Sequence, residues 1–260
     1  PVAARGRRPL PQRVLQDVQH RGRRQVAHGR QRLPRVLQRA LGQHIAALVG
    51  LREPAAARGC ERHRDRDCKS KPATPAGLQA TATSATSIAL TWSPPGGATL
   101  YEIERSSSGT NFLPLATVQT TSHLDSSVSL ATAHLYRVRA RSTEGASSAT
   151  NPDLATSILF TDDPIVPGAT IVRANHVSQL RSAVNAVSSL AGVSPQPWAD
   201  DPLTAGTTPV RRAHIDQLRQ ALQAALTELM LPLPSFTDDT LTTATAIKRL
   251  HVEELRNAVK

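Results

Sequence analysis

Phe160-Thr-Asp-Asp-Pro-Ile165, Trp198-Ala-Asp-Asp-Pro-Leu203 and Phe236-Thr-Asp-Asp-Thr-Leu241 are three near-copies of one motif, set 38 residues apart. Each is followed by a histidine, His176, His214 or His251, that opens a block His-(Val/Ile)-x-(Gln/Glu)-Leu-Arg-x-Ala-(Val/Leu). A fixed period of this length marks a supersecondary unit that cannot bury its apolar face alone and stacks on its own copies. In each copy the aromatic is followed by an Asp-Asp turn, and then by Thr170, Thr208 or Thr245, placed where a helix N-cap is expected. Pro209 then occupies the favoured first helical position of the second copy. Apolar residues follow at three- and four-residue spacing: Val177, Leu180, Val184 and Val187; Ile215, Leu218, Leu222, Ala225 and Leu229; Val252, Leu255 and Val259. That is one apolar stripe per helix. The reading for residues 162–260 is therefore an all-α domain of three 38-residue helical repeats, with Phe160, Trp198 and Phe236 as lids or wedges.

The same residues are weighed as a functional site. Two adjacent carboxylates fall far short of the six or more oxygens calcium takes, whereas an Asx turn uses such residues routinely. A metal cluster of His176, His214 and His251 is set against packed histidines, each hydrogen-bonded to the Asp of its own copy, and the second is preferred. Arg181, Arg219 and Arg256 are expected to pair with an acidic turn rather than a ligand. No metal, cofactor or catalytic residue is assigned.

Upstream the pattern changes period. Ile88, Leu90 and Trp92 alternate with Ala89 and Thr91; Tyr101 and Ile103 alternate with Glu102 and Glu104; Tyr136, Val138 and Ala140 alternate with Arg137, Arg139 and Arg141. Period-two runs bounded by Pro, Gly and Ser read as half-buried strands. Seven are expected, near 76–82, 86–93, 100–106, 112–118, 121–125, 134–141 and 146–158. Short strands with turns every ~8–12 residues indicate a two-sheet sandwich over residues 72–161.

These residues resemble a fibronectin type III domain. The anchors are Pro75-Ala-Gly-Leu78, Ser87-Ile-Ala-Leu-Thr-Trp92-Ser-Pro-Pro95, Tyr101-Glu-Ile-Glu-Arg-Ser106, Leu124-Asp125 and Tyr136-Arg-Val-Arg-Ala140. The resemblance implies that Trp92 plugs the core, that the third and sixth strands are neighbours, and that Glu102 and Glu104 face the three arginines; Tyr101 and Tyr136 are expected as further core residues. The family's corner tyrosine aligns with His134. The loop Arg141-Ser-Thr-Glu-Gly-Ala146 lacks the Arg-Gly-Asp of integrin-binding members. The C-terminal copies look like repeats that follow such modules in bacterial surface or secreted proteins. They also partly resemble S-layer homology repeats, which attach proteins to cell-wall polymers. The Gly-rich middle and the Ile-Thr-Arg-x-Glu box of that family are missing here.

Charge separates off the first quarter of the chain. Residues 1–71 carry 18 of the 31 basic and 5 of the 20 acidic residues, a net of +13, so the overall +11 leaves −2 for the rest. This stretch has 16 Arg, two Lys and no Phe, Trp or Tyr, too little for a packed core. It is read as a basic tail, disordered or translated out of frame, with an arm for nucleic acid as the lesser alternative. Nucleic-acid binding by the chain is not expected. Cys60, His63 and Cys68 match no common zinc spacing and lack a fourth soft ligand. No signal peptide is visible after Pro1, and no run reaches membrane-spanning length. The early stop of the third copy at Lys260 is read as a truncation.

The functional expectation is a non-enzymatic binding or spacer module of a bacterial secreted or cell-surface protein, with a protein or a cell-surface polysaccharide as partner. The alternatives are an accessory region of a secreted hydrolase whose catalytic domain lies elsewhere, and cell-wall attachment by the C-terminal copies.

Overall fold

The computed structural model describes residues 70–242 and 244–260. The expectations for residues 1–71, including the Cys60/Cys68 reading, fall almost wholly outside them. The described residues belong to one compact body.

Its first part is a sandwich of β1 (Ala76–Ser84), β2 (Ser87–Ser93), β3 (Leu100–Ser106), β4 (Leu113–Val118), β5 (Ser122–Asp125), β6 (Ala133–Ser142), β7 (Gly145–Ala146) and β8 (Asp153–Thr156). One sheet has the order β1-β2-β5; the other has β4-β3-β6-β7, with β8 also on β6. All pairings are antiparallel. The alternating residues Ile88, Leu90, Trp92, Tyr101, Ile103, Tyr136, Val138 and Ala140 form the core between the sheets. Trp92 and Tyr101 meet edge-on at 5.4 Å, the arrangement that opposed ring quadrupoles favour.

The last expected strand, 146–158, is corrected to two short segments, β7 and β8. Between them the hydroxyls of Ser147 and Thr150 accept the β6 N–H groups of Ala140 and Val138, at 3.0 and 3.1 Å, in place of backbone carbonyls. Pro152 has no N–H to offer a ladder. The segment stays beside β6 while leaving regular pairing.

Three helices follow: α1 (Ala174–Ala191), α2 (Arg212–Glu228) and α3 (Arg249–Asn257). Every stripe residue named from the sequence is buried. Full burial of a Leu, Val or Ile side chain stabilises by about 1.5–3 kcal/mol, so the stripes are the main reason these helices hold. Their core is continuous with Ala133 and Leu135 of β6 and Leu154 of β8. The Gly109 N–H of the β3–β4 loop donates to the Leu190 carbonyl of α1 at 2.5 Å. Gly192 ends α1 at φ 70°, its N–H on Ser188 and Ser189 carbonyls, a left-handed stop that glycine takes without a Cβ clash.

Candidate functional site

The Thr caps expected from the sequence are not what starts the helices. The N-cap positions are Arg173, Arg211 and Lys248, all extended. Thr208 and Thr245 instead close the preceding loop, their Oγ1 atoms accepting the N–H of Thr204 and Thr242 at 3.0 and 2.9 Å. Pro209 lies in that loop, ahead of α2. The capping acceptor is the histidine. Nδ1 of His176, His214 and His251 accepts the N–H of Arg173, Arg211 and Lys248 at 3.2, 3.2 and 3.3 Å. This is the reciprocal half of a capping box, with imidazole at the third helical position in place of Glu or Gln.

With Nδ1 accepting, the ring proton sits on Nε2. Nε2 of each histidine then donates to the first Asp of its own copy, Asp162, Asp200 and Asp238, at 3.0 Å in all three. Those three residues have φ of 52–53°, a left-handed conformation that Asp tolerates better than most side chains. All three imidazoles are fully buried. Lys248 also reaches Asp238, at 2.7 Å, and together with the His251 bond this holds the Asp238 carboxyl below its ordinary range.

The next two positions of the block face elsewhere. Gln179, Gln217 and Glu254 accept the N–H of Thr161, Ala199 and Thr237, fastening the residue after each copy's own aromatic at 2.9–3.0 Å. The arginines reach the following copy. Arg181 donates to the Ala199 carbonyl at 2.5 Å, and Arg219 to those of Thr237 and Asp238 at 2.8 and 2.9 Å. Arg256 returns to the first copy, on Thr161 and Asp162 carbonyls at 2.8 Å each. Each guanidinium also lies over the aromatic of the copy it reaches: Arg181 over Trp198 at 5.5 Å, Arg219 over Phe236 at 4.6 Å, Arg256 over Phe160 at 5.0 Å. The contacts run first to second, second to third, and third back to first. Ile165 N–H on Glu253 and Lys260 on Asp163 add to the last closure. Burial lowers the pKa of Arg256 against the pull of Asp163, without threatening a charge that arginine never loses in practice.

In the sandwich, Glu102 lies opposite Arg139 and Glu104 opposite Arg137 in the β3–β6 register. Arg137 and Arg139 meet Glu104 at 2.5 and 3.5 Å, and Arg141 meets Glu102 at 2.7 Å. The arginine row is thereby neutralised within the sheet. Asp125 gathers Arg105, Ser127 and Tyr136 Oη at 2.7–2.9 Å. Burial raises its pKa, but these bonds outweigh it and hold the carboxyl down at about 2.

His134, at the expected tyrosine corner, places Nδ1 3.0 Å from Ser107 Oγ and Nε2 3.0 Å from Thr132 Oγ1. Sequence reading gave no hint of this Ser–His contact, because the two residues lie 27 positions apart. Burial, helped by the nearby Arg105 charge, pushes the imidazole down to about 4. A ring that weakly basic is a poor general base at neutral pH, and a hydroxyl stands where a carboxylate would orient it. Among the described residues, no three His, Cys, Asp or Glu side chains are grouped to hold a metal. No described helix is long and apolar enough to cross a membrane.

A groove of about 660 Å³ opens between the start of α1 and the loop before α2, lined by Val172, Arg173, Asn175, Thr207, Thr208 and Pro209. Arg211 and Lys248 pair with Asp200 and Asp238. Their counterpart Arg173 makes no ion pair among the described residues.

No protein-family model matches the chain, and no curated protein does. Among solved structures it is similar to the crystal structure of FN3tt, at 22% identity over 34% of this chain and 96% of that one, with a TM-score of 0.32. It is also similar to a Fn3-like protein from Clostridium thermocellum, at 30% identity over 33% of this chain and 92% of that one, TM-score 0.31. A third is the sixth fibronectin type III domain from human fibronectin type III domain containing protein 3, at 24% identity over 34% and 86%, TM-score 0.31. The described residues hold a two-sheet β-sandwich followed by three helices.

Proposed function

We propose that the chain is a non-enzymatic binding and spacer region of a bacterial secreted or cell-surface protein, and that it engages a protein or a polysaccharide. The observation that carries this reading is where the motif side chains go. His176, His214 and His251 cap helices and hold turns; Arg181, Arg219 and Arg256 join one copy to the next. Side chains committed to the fold in this way are not free for chemistry, and the three 38-residue copies act as one stacking module. What remains for function is surface, which is how sandwich domains generally work.

The test is retention of the full chain on bacterial cell-envelope polysaccharide and envelope protein fractions, with the recovered material checked for chemical change. Retention with unchanged material is expected. Release of a reaction product, or retention by neither fraction, would contradict the reading.

The groove lined by Arg173 favours a second reading, attachment to an anionic wall polymer. An unpaired guanidinium in a groove between copies suits a phosphate or carboxylate. Here Arg173→Ala should reduce retention on purified wall polymer at least tenfold without lowering the melting temperature. Equal retention by the variant removes this reading.

A further inference from the structure

A second cleft, of about 610 Å³, lies between the sandwich and α1. Small-ligand sites typically occupy ~300–1,000 Å³ and often sit where two structural parts meet. The walls come from the end of β3, the loop before β6 and the last two turns of α1.

Three observations define what would suit it. The lining is rich in hydroxyl groups, adds the Asn185 amide and the His134 imidazole, contains no carboxylate, and has Arg105 as its one cationic guanidinium. That charge is balanced by Asp125 at 2.7 Å, just behind it. Arg105 spends only Nη1 on Asp125 and Ser127; Nε and Nη2 make no hydrogen bond among the described residues, which leaves a two-donor edge open. Asn185, on α1, lines the cleft, and its Oδ1 is buried with no hydrogen-bond partner among the described residues, an unusual state for a polar atom. Ala131, in the cleft wall, sits at φ 52°, and left-handed backbone at a non-glycine residue tends to cluster at ligand sites.

We propose that this cleft binds a small neutral polyhydroxylated ligand of one or two sugar rings, with the open edge of Arg105 on adjacent hydroxyls and Asn185 on another. A balanced charge disfavours an anion, whose own charge would be buried without compensation. A wall of hydroxyls suits sugar hydroxyls, which both donate and accept. The inference rests on the reading of the chain as a binding module, and it assigns that module a site and a ligand class.

The experiment is titration calorimetry and saturation-transfer NMR of the full chain. The probes are glucose, galactose, N-acetylglucosamine, cellobiose and N,N′-diacetylchitobiose, with sodium acetate and inorganic phosphate as separate arms. At least one sugar should bind. Its affinity should fall tenfold or more in Asn185→Ala and in Ser189→Trp, whose indole would fill the cleft from an exposed helix position, with far-UV circular dichroism unchanged. The proposal is overturned if none of the sugars binds, if only acetate or phosphate binds, or if both variants bind the sugar as the parent does. Envelope retention by a parent chain that binds none of the sugars would sink the cleft and leave the broader reading standing. Loss of retention by the parent chain would sink the broader reading itself.

Discussion

Replacing His214 with Ala tests how much of the second copy one imidazole holds. His214 is fully buried, accepts the Arg211 N–H at 3.2 Å and donates to Asp200 at 3.0 Å. Two hydrogen bonds are worth about 1 kcal/mol each in net terms, and the one to a carboxylate more. Shrinking the ring to a methyl group also opens a cavity at a fully buried position, which adds roughly 1–2 kcal/mol. The expected loss is therefore about 3–4 kcal/mol. At roughly 2–4 °C per kcal/mol for a body of this size, the melting temperature should drop by about 6–16 °C. His214→Gln restores a capping-box acceptor for the Arg211 N–H but not the bond to Asp200, so it should fall between the parent and His214→Ala. Urea denaturation followed at 222 nm, at pH 7, gives all three values. A loss below about 1 kcal/mol for His214→Ala would refute the structural role of the motif histidines, as would an equal loss for His214→Gln and His214→Ala.

Two further outcomes follow from backbone and charge. Met230, exposed after α2, has φ 55°, and the Leu231 N–H closes on the Leu226 carbonyl at 2.9 Å; left-handed backbone costs a Cβ-bearing residue roughly 1–2 kcal/mol. Met230→Gly should therefore raise the melting temperature by a few degrees, and a decrease would show that the side chain is needed. The folded pKa of His134, about 4, lies below its unfolded value, so the unfolded chain takes up the proton first. The stability this gives is intact above about pH 6.5 and is lost as pH falls to about 4, by roughly 3 kcal/mol. Asp125, held at about 2, keeps its contribution through that window and loses it only between about pH 4 and 2. Urea midpoints measured from pH 7 to 4 should fall, and His134→Gln should flatten that fall; an unchanged slope in the variant would assign the acid loss elsewhere.

The β2, β3 and β6 strands were legible because a half-buried sheet face imposes period two on side-chain polarity, and their residues follow it. The helix stripes were legible for the same reason at period 3.6. The segment 146–158 was not, because Ser147 and Thr150 replace backbone acceptors with hydroxyls, a substitution that leaves no periodic mark. The helix starts were misplaced because threonine is so common a cap that Thr170, Thr208 and Thr245 outranked histidine. In the structure the cap is made from inside the helix by His176, His214 and His251. The spacing His to Gln/Glu to Arg was visible in sequence, yet its meaning was not. One turn of helix sends these side chains to different places: to the copy's own Asp, to its own turn, and to the next copy. The Arg256–Thr161 bond spans 95 residues, a pairing that no local pattern encodes. The cleft beside Arg105 was likewise invisible, since β3, the loop before β6 and α1 contribute to it from far apart in the chain.

The repeated arginines join the first copy to the second, the second to the third and the third back to the first. Arg256→Met tests this closure, because that side chain carries the arginine contact from the third copy back to the first. The guanidinium makes two charge-assisted bonds and lies over Phe160, and methionine keeps only the apolar stem. Urea unfolding should show a loss of about 2–3 kcal/mol, comparable with Arg181→Met and Arg219→Met measured alongside. Losses for Arg181→Met and Arg219→Met with none for Arg256→Met would mean that the copies stack in an open row, and would contradict the closed arrangement.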